Sequence, residues 1–590
     1  MKIFHTIKRF LRRESCSEGL LPNSKKGDLS RWASAMHFII VLLAGCLMAA
    51  AFPPLNATFC VFIALTVLWL EARNRRALTA AFMGWIWGMG YALCSFFWLR
   101  EIHAAVPWLL MVVLGAYYIP AGLMAALANR WILLRDEERK SGFSTQQSCR
   151  DFPLWRQLLW CLVMASTMVV VEYLRSRVLP WNYIGSAFCR NAVMMQLIRF
   201  TGVYGLTMLT ALFNAALALA LLTVARKDPV QCRIRYHRPW PLLIVLLLLA
   251  ANMAYGIYSL RERRREYFSW QNQLRMTLVQ GNLSQRRMGG QDSAFEALNT
   301  YCRLTRNQSG IPTDLIVWPE TAVNYPLRGA AAVCTIYREQ VRALAREFNA
   351  PLLIGTLEFD QTTEPAGSLN SAVLTDDRNI LSSGYIAQYS KVHPVPFGEY
   401  VPMRRYLPDF IVDLIDMQRD LTPGKSLDPI QLNDQIRLGV NICFEDVFTY
   451  ISRAEAFRGA NLLLVITNDA WYPTSSEPEQ HLANSVARAI ENNLPMVRCG
   501  NDSASCLISP GGEIIWSLAG ALQFDDGKPF RRGSGSAVIS VKVPAPEQIK
   551  RTFYSRYGDW LVLLSALCVA AALLRVLQGR LSFAASLRNG

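Results

Sequence analysis

The chain has 590 residues, 52% of them hydrophobic, and its mean hydropathy is positive at +0.19. This composition excludes an ordinary soluble protein and indicates that part of the chain lies in lipid. The net charge of +17, from 61 Lys and Arg against 44 Asp and Glu, is scattered between apolar stretches instead of forming a basic stripe with interleaved aromatic side chains. We therefore expect a membrane as a partner and no nucleic acid.

Eight apolar stretches approach the roughly 20 residues that a transmembrane helix needs. They cover residues 35–53, 56–71, 79–99, 107–134, 157–174, 203–225, 241–260 and 560–577, the second being short. Basic clusters lie at the N-terminus, in every second loop and in the C-terminal tail, so if the N-terminus is cytoplasmic they all fall on the cytoplasmic side, as the positive-inside rule requires. The sequence then divides into four parts: a cytoplasmic N-terminal segment (1–34), a membrane domain of seven spans (35–265), an extracytoplasmic domain (266–558), and a final span with a cytoplasmic tail (559–590).

The extracytoplasmic segment 266–558 has a different composition, with no apolar stretch long enough to cross a membrane. Short runs rich in β-branched residues, such as DLIVWPE, IRLGVNICFE and NLLLVITNDAW, are continuously apolar, which is typical of strands covered by helices. The segments AVCTIYREQVRALAREF and EQHLANSVARAIEN have the helical period. The pattern predicts a layered α/β domain.

Three chemically capable residues follow strand-like runs of this domain. Glu320 comes after Trp318 and Pro319, where we expect the proline to end the strand and leave the carboxylate at its tip. Lys391 ends the run before HPVPFGEYVP, and Cys443 follows IRLGVNI. Each has an ordinary interpretation by itself, as a solvated glutamate, a strand-end lysine or a packed thiol.

As a set, the three residues can perform nucleophilic catalysis. A thiol with a pKa near 8.5 is a poor nucleophile until a base takes its proton or a cation stabilises its thiolate. Glu320 can act as that base, and Lys391 can stabilise first the thiolate and then a tetrahedral oxyanion. Because each residue closes a strand or loop of one domain, we expect the three to converge at one edge of a sheet.

The segments around these residues resemble a known family. VWPET, YSKVHPVPFGEYVP and NICFED are similar to the Glu-Lys-Cys motifs of the nitrilase (carbon–nitrogen hydrolase) superfamily. Together with the spans and segments such as VEYLRSRVLPWNYIGSAF, VQGNLSQ and NDAWYPTSSEPEQHLANSVARAIEN, the chain resembles the membrane branch of that superfamily, the apolipoprotein N-acyltransferase family. The resemblance covers nearly the whole chain after about residue 35. It implies an α-β-β-α sandwich for residues 266–558.

Site residues follow from the resemblance. It implies that Cys443 is the nucleophile and forms a thioester, that Glu320 is its general base, and that Lys391 stabilises the oxyanion. Glu399 and Glu445 match further glutamates of the family motifs and are expected to support these three. The motifs also depart from the family pattern, with Ser284 where proline is usual, no Gly-Asp after NDAWYP, and Phe444 where tyrosine is frequent.

The resemblance further implies a two-step reaction without a metal or other cofactor. An acyl chain passes from a phospholipid, preferably phosphatidylethanolamine, to the cysteine and then to the N-terminal amine of a diacylglyceryl-cysteine apolipoprotein. The expected location is the bacterial inner membrane, with the catalytic domain on the periplasmic side. No CxxC or HExxH spacing in the sequence suggests a metal site.

Several weaker expectations concern individual segments. Trp181 and Tyr183, in LPWNYIGSAF, are candidates for an interfacial aromatic belt or for lining the substrate site. Phe444, beside the nucleophile, is a further candidate for the substrate site. The segment 408–421 has an apolar helical face, which suits either a mobile lid or an ordinary buried helix. The extracytoplasmic cysteines allow up to two disulfides without Cys443, and these would involve Cys302, Cys334, Cys499 and Cys506. His393 and His481 are expected to be structural.

Two other functions remain open at the level of sequence. A membrane-tethered nitrilase-type amidase would let water attack the thioester and hydrolyse an amide substrate. A transporter or receptor with a degenerate domain is disfavoured by the complete Glu-Lys-Cys set and by spans that lack several midplane charges.

Overall fold

The computed structural model describes most of the chain. The described ranges are residues 23–133, 153–223, 226–227, 234–235, 239–284, 291–360, 367–382, 384–396, 398–401, 404–406, 420–472, 475–521 and 533–588.

The N-terminal part is helical because its apolar runs are rich in Ala, Leu and Met, and because lipid offers no partner for an unpaired backbone group. Its helices are α1 (Asn23–Ala49), α2 (Ala64–Ala72), α3 (Ala77–Ser95), α4 (Val106–Ala116), α5 (Ile119–Ala128), α6 (Leu154–Ser176), α7 (Ala192–Met195), α8 (Ile198–Thr201), α9 (Tyr204–Thr223) and α10 (Trp240–Ser269). Between α9 and α10, β1 (Arg226–Lys227) pairs with β2 (Ile234–Arg235).

Six helical segments of the described chain are long and apolar enough to cross a membrane, judged by length and composition. They are Ala77–Ser95, Val106–Leu133, Leu154–Ser176, Tyr204–Leu222, Trp240–Ser269 and Trp560–Gly579. The first two predicted spans fall on the shorter apolar helices Ala35–Ala49 and Thr58–Ala72. The chain is a multi-pass membrane protein, and the count of eight spans stays a prediction.

Close helix packing in the membrane region depends on glycine. Helix α3 packs against α1, α4 and α5, while α6 packs against α9. A Cβ on Gly84 of α3 would overlap the carbonyl oxygen of Tyr118, and one on Gly122 of α5 would overlap that of Ala80. Small residues at such contacts let helix backbones approach one another in lipid.

The C-terminal part contains two six-stranded sheets. The strands are β3 (Gln273–Gln280), β4 (Leu315–Val323), β5 (Leu352–Asp360), β6 (Gly367–Thr375), β7 (Ala387–Ser390), β8 (Ile430–Gln431), β9 (Arg437–Ile442), β10 (Leu462–Thr467), β11 (Met496–Gly500), β12 (Cys506–Ile508), β13 (Ile514–Ser517) and β14 (Gly535–Lys542). The first sheet has the order β14-β3-β4-β5-β6-β7, and the second has the order β13-β12-β11-β10-β9-β8. The central pairs β3/β4, β4/β5, β9/β10 and β10/β11 are parallel.

The remaining helices are α11 (Gln291–Arg306), α12 (Ala332–Phe348), α13 (Asn379–Ser382), α14 (Thr449–Phe457), α15 (Glu477–Asn492), α16 (Leu518–Ala521), α17 (Phe553–Tyr557) and α18 (Trp560–Arg588). One apolar core lies between the two sheets and includes Leu278 and Val317 of the first and Val440 and Leu464 of the second. A second core joins the outer face of the first sheet to α11 and α12. The predicted α-β-β-α sandwich is confirmed.

The outer helix layer of the second sheet packs on the membrane region. Leu482 and Val486 of α15 belong to the same buried cluster as Leu463 of β10 and as residues of α2, α6 and α9. The final helix α18 packs against α6. The turn that follows β9 also packs on loops between the spans, since Phe444 and Phe448 share a buried cluster with Phe96 and Trp181.

Candidate active site

Glu320 lies in a distortion of β4, which corrects one sequence expectation. The strand does not end at Pro319 but continues to Val323, with an irregularity in its pairing to β5 between Trp318 and Val323. Thr321 has a φ of +44°, and Gly355 of β5 packs so closely on the Pro319 carbonyl that a Cβ would overlap it. The bulge directs the Glu320 side chain into the protein interior, and Glu320 is only 6% exposed.

Lys391 follows β7 directly and is 2% exposed. Its Nζ lies 2.9 Å from Glu399 Oε1 and 3.4 Å from Glu320 Oε1. Asn370 of β6 donates to the same two oxygens, at 2.8 Å to Glu320 and 2.9 Å to Glu399. The backbone N–H of Asn468, after β10, donates to the other Glu320 oxygen at 3.0 Å. Both oxygens of Glu320 are thereby fixed.

Cys443 is the first residue of the 3₁₀ turn Cys443–Val447, immediately after β9. Its φ of +52° is a left-handed conformation that costs a residue with a Cβ of the order of 1–2 kcal/mol. The sharp turn stops the strand and leaves the thiol half-buried at the carboxyl edge of the second sheet. Backbone strain at this position is typical of a functional site.

The electrostatic interactions join the three side chains into one site. Burial raises the pKa of the Cys443 thiol well above its usual range, and the charge of Glu320 raises it further while Lys391 opposes both. Burial also raises the pKa of Glu320, against the attraction of Lys391. Although burial alone would lower it, the pKa of Lys391 is raised by Glu399 and Glu320. The resting site therefore combines a neutral thiol, a base of increased basicity and a permanent cation.

Glu445 holds the nucleophile turn to the lysine loop. Its oxygens accept hydrogen bonds from the backbone N–H groups of Val392 (2.7 Å), His393 (3.2 Å) and Ile442 (2.8 Å), and from the hydroxyl of Tyr389. Burial raises the pKa of Glu445 to about 7, against these hydrogen bonds and Lys391. The two segments that carry Cys443 and Lys391 are thus joined by one buried carboxyl group.

A second buried network lies behind the nucleophile turn. His481 Nε2 lies 2.8 Å from Asp446 Oδ1 and 3.2 Å from the Cys443 carbonyl oxygen, while its Nδ1 lies 3.2 Å from Asp469 Oδ1. Arg498 Nη1 lies 2.9 Å from Asp446 Oδ2. Burial would lower the pKa of His481, but the neighbouring Asp446 raises it to about 10. His481 is therefore a charged structural anchor of the turn, in agreement with the role expected for it.

The same network contains a group of potential metal ligands. Asp469, Glu477 and His481 place ligand atoms within 4.8 Å of one another. However, both ring nitrogens of His481 face carboxylates, and a doubly protonated imidazole has no lone pair for a metal. We interpret the group as an ion-paired network.

The fold brings two of the three predicted substrate-site aromatics together and separates the third from them. Trp181 stacks on Phe444 with ring centroids 5.8 Å apart and an interplanar angle of 15°. Tyr183 instead packs with Tyr204 and Val562, away from Phe444. Trp181 and Tyr183 are each 1% exposed, which contradicts the interpretation of both as an interfacial belt.

Other expectations of the sequence have mixed outcomes. Cys302, Cys334, Cys499 and Cys506 are all free thiols in the structure. The ring of His393 packs at a tilt against Phe448 with centroids 3.7 Å apart, and burial lowers the pKa of His393 to about 4. Except for Asp420 and Leu421, the possible lid 408–421 lies outside the described residues.

Two contributors to the site were missed from sequence. Asn370 could have been noticed as the one amide side chain of the strand GSLNSAVLT, whose other residues are apolar, glycine or small hydroxyl residues. Asn468 contributes through its backbone, for which no side-chain pattern exists. Asp446 is adjacent to Glu445 in NICFED, but nothing local indicates its partners His481 and Arg498.

Comparisons with known proteins agree with this arrangement. Residues 44–216 match the family model described as the apolipoprotein N-acyltransferase N-terminal domain, and residues 275–526 match the carbon-nitrogen hydrolase model. An apolipoprotein N-acyltransferase from Geobacter metallireducens is 29% identical over 551 residues, covering 91% of this chain and 95% of the relative. The corresponding protein from Rhodopseudomonas palustris is 29% identical over 589 residues, covering 94% and 98%.

Among solved structures, a carbon-nitrogen hydrolase from Helicobacter pylori is 15% identical, with a TM-score of 0.34 and coverage of 49% of this chain and 94% of its own. The two family models follow one another in this chain, and both relatives align with it over nearly their full length. Most of the chain is therefore similar to apolipoprotein N-acyltransferases, with a carbon-nitrogen hydrolase domain after the N-terminal domain of that family.

Proposed function

We propose that this protein transfers an acyl chain from a phospholipid to the N-terminal amine of diacylglyceryl-cysteine apolipoproteins, through a thioester on Cys443. One observation carries the mechanism: Glu320, Lys391 and the strained turn at Cys443 meet at one edge of the sandwich, beside the loops of the membrane region. The names of the full-length relatives support the acceptor class.

In the first step, Glu320 takes the thiol proton and the Cys443 sulfur attacks the carbonyl carbon of the lipid ester. The C–S bond forms, the ester C–O bond breaks, and Glu320 returns the proton to the departing lysophospholipid oxygen. Lys391 balances the negative charge that passes from the sulfur to the carbonyl oxygen and back. Its two carboxylate neighbours keep it protonated throughout.

In the second step, the amine of the acceptor attacks the thioester carbonyl. The C–N bond forms and the C–S bond breaks, while Glu320 takes a proton from the amine and returns it to the thiolate. The products are an amide and the regenerated thiol, so a ping-pong sequence follows.

The site's position suits a lipid donor. The apolar cluster around Phe444 includes Leu114 of α4 and Phe96 after α3, so apolar contacts continue from the nucleophile into the membrane region. An acyl chain buried in lipid holds about 0.8 kcal/mol per methylene, which favours reaction at the interface over complete extraction. We further propose phosphatidylethanolamine as the donor, with the sandwich on the periplasmic side of the inner membrane.

A single assay tests the proposal. Purified protein in phospholipid vesicles that carry a labelled acyl chain is mixed with a synthetic diacylglyceryl-cysteine peptide, and the labelled products are separated. We expect labelled amide on the peptide. Labelled free fatty acid as the main product, with or without peptide, would instead identify a hydrolase, and the absence of any labelled product would contradict both functions.

A further inference from the structure

One glutamine joins the catalytic domain to several membrane loops. Gln480 lies in the first turn of α15 and is 2% exposed. Its Oε1 accepts hydrogen bonds from Trp98 Nε1 at 3.1 Å, Trp181 Nε1 at 2.8 Å and Asn182 Nδ2 at 3.1 Å. Its Nε2 donates to the Pro53 carbonyl oxygen at 2.9 Å.

The chemistry of these partners fixes the orientation of the amide. An indole N–H can only donate, and a peptide carbonyl can only accept. The reversed amide would place its NH₂ group against two indole donors and its oxygen against the Pro53 carbonyl. In this one orientation, Gln480 hydrogen-bonds at the same time to the loops that follow α1, α3 and α6.

The two tryptophans held by Gln480 lie beside the nucleophile turn. Trp181 stacks on Phe444, the neighbour of Cys443, and lies 5.5 Å from Trp98 between ring centroids. Trp98 in turn packs edge-on against Tyr472, with centroids 4.7 Å apart. We define these four side chains, Trp98, Trp181, Phe444 and Tyr472, as the aromatic wall.

The residue next to Gln480 anchors the other side of the same turn. His481 contacts the Cys443 carbonyl oxygen and Asp446, as described above. Two consecutive residues of α15 thus have separate roles: Gln480 contacts the membrane loops and their tryptophans, and His481 contacts the nucleophile turn.

We propose that Gln480 is a positioning residue that holds the aromatic wall beside Cys443 for long acyl chains. This inference rests on the proposed function. A long chain bound to Cys443 extends past Phe444 toward the membrane helices and meets the wall, whereas an acetyl group is too short to do so. Gln480 touches none of the triad residues in the described structure, so its loss changes the wall and not the triad.

The substitution Gln480→Met tests the proposal because methionine has nearly the same length but neither accepts from the indoles nor donates to Pro53. We expect acylation of Cys443 by a long-chain phospholipid to slow by about 10-fold or more, on the scale of a small misplacement of substrate. Acetylation of Cys443 by p-nitrophenyl acetate is expected to keep the wild-type rate. Both rates are measured by intact-mass spectrometry of the full protein in detergent.

Gln196 provides a matched control. It is fully buried, and its Nε2 donates to the Gly511 carbonyl oxygen at 2.9 Å, so it also bridges the membrane region and the sandwich. It is outside the aromatic wall, and Gln196→Met should therefore change the two rates equally or not at all. Gln480→Glu is the rescue variant, because its carboxyl group can still accept from both indoles, and it should acylate faster than Gln480→Met with the long-chain donor.

The outcomes separate the two proposals. If wild-type protein forms no acyl adduct on Cys443, the proposed function fails. If the wild type forms the adduct, three results refute the role of Gln480 while the proposed function stands. Gln480→Met reacts with the long-chain donor at the wild-type rate, or its rates with both donors fall equally. Alternatively, Gln480→Glu reacts with the long-chain donor no faster than Gln480→Met. Should Gln480→Met fail to fold, Gln480→Glu is compared with the wild type instead. We expect its acylation rate with the long-chain donor alone to fall, by far less than 10-fold. An equal fall of the rates with both donors overturns the inference.

Discussion

At the scale of single residues, the candidate site concentrates features that do not help folding. Cys443 has a left-handed backbone conformation, and Lys391 and Glu320 are charged groups inside the protein. A buried ion pair often contributes little to stability, because desolvation offsets the attraction between the charges. The structure keeps these groups because the surrounding hydrogen bonds, from Asn370, Asn468 and the Glu445 contacts, determine their positions.

The backbone strain predicts an order of stability for two substitutions at Cys443. Both Cys443→Ala and Cys443→Gly should abolish the acyl adduct, because neither has a sulfur. Glycine tolerates the φ of +52°, whereas alanine retains a strain of about 1 kcal/mol, so Cys443→Gly should be at least as stable as Cys443→Ala. Thermal unfolding of the two purified variants checks the order. An acyl adduct that persists in either variant would show that another residue is the nucleophile.

The buried carboxyl of Glu445 predicts a pH-dependent contribution to stability. Its folded pKa is raised by burial to about 7, above its unfolded value, so the folded state binds the proton more tightly. Stability from this group is then greatest below the unfolded pKa and is lost as the pH rises through about 7, by up to about 3 kcal/mol. The free energy of unfolding of wild type minus that of Glu445→Gln should fall from pH 5 to pH 8. A pH-independent difference would contradict the assignment.

At the scale of secondary-structure elements, irregularities bring the side chains together. The bulge in β4 turns Glu320 toward Lys391, and the 3₁₀ turn after β9 exposes Cys443 at the same edge. Regular continuation of either strand would alternate the side chains between faces and separate them. In the membrane region, helix contacts depend on the absence of side chains at glycine positions.

Gly84 tests the importance of these helix contacts. An added Cβ would overlap the carbonyl oxygen of Tyr118, so Gly84→Ala should push α3 away from α5 and lower the unfolding temperature and the yield of inserted protein. Leu78 of the same helix is 86% exposed, and Leu78→Ala is the control expected to change little. The measurement is thermal stability in detergent. Equal effects of the two substitutions would show that the contact is not tight.

At the scale of the whole molecule, the sandwich and the membrane region share a buried cluster that includes α15, α6 and α9. The catalytic edge is therefore held at a defined place relative to the spans instead of hanging on a flexible linker. Such an arrangement suits a substrate whose reactive ester lies at the level of the lipid headgroups.

The proposed topology predicts that the end of α10, before the sandwich, and the end of α18, after it, lie on opposite sides of the membrane. Arg263 lies near the end of α10, and the described chain between it and Arg580 contains one further candidate span, Trp560–Gly579. Reporter fusions after Arg263 and after Arg580 should therefore give signals from opposite sides, with the former extracytoplasmic. Signals from the same side at both positions would contradict the placement of the sandwich outside the cytoplasm.

The sequence by itself determined the class of the protein and was enough to propose its reactive residues. Long apolar stretches can only be satisfied in lipid, and continuous β-branched runs between amphipathic segments can only be buried in layers, so both parts of the fold follow from local composition. The proposed catalytic residues Glu320, Lys391 and Cys443 stand in motifs that local sequence displays directly.

Only the tertiary structure decided which side chains meet. Trp181 and Tyr183 are two residues apart in one segment, yet the fold places the first on Phe444 and the second against Tyr204. Gln480 contacts Trp98, Trp181 and Pro53 across hundreds of positions, and Asn370 reaches Glu320 from another strand. Such contacts depend on strand pairing and on the packing of helices between distant segments, for which a residue's sequence neighbours carry no signal.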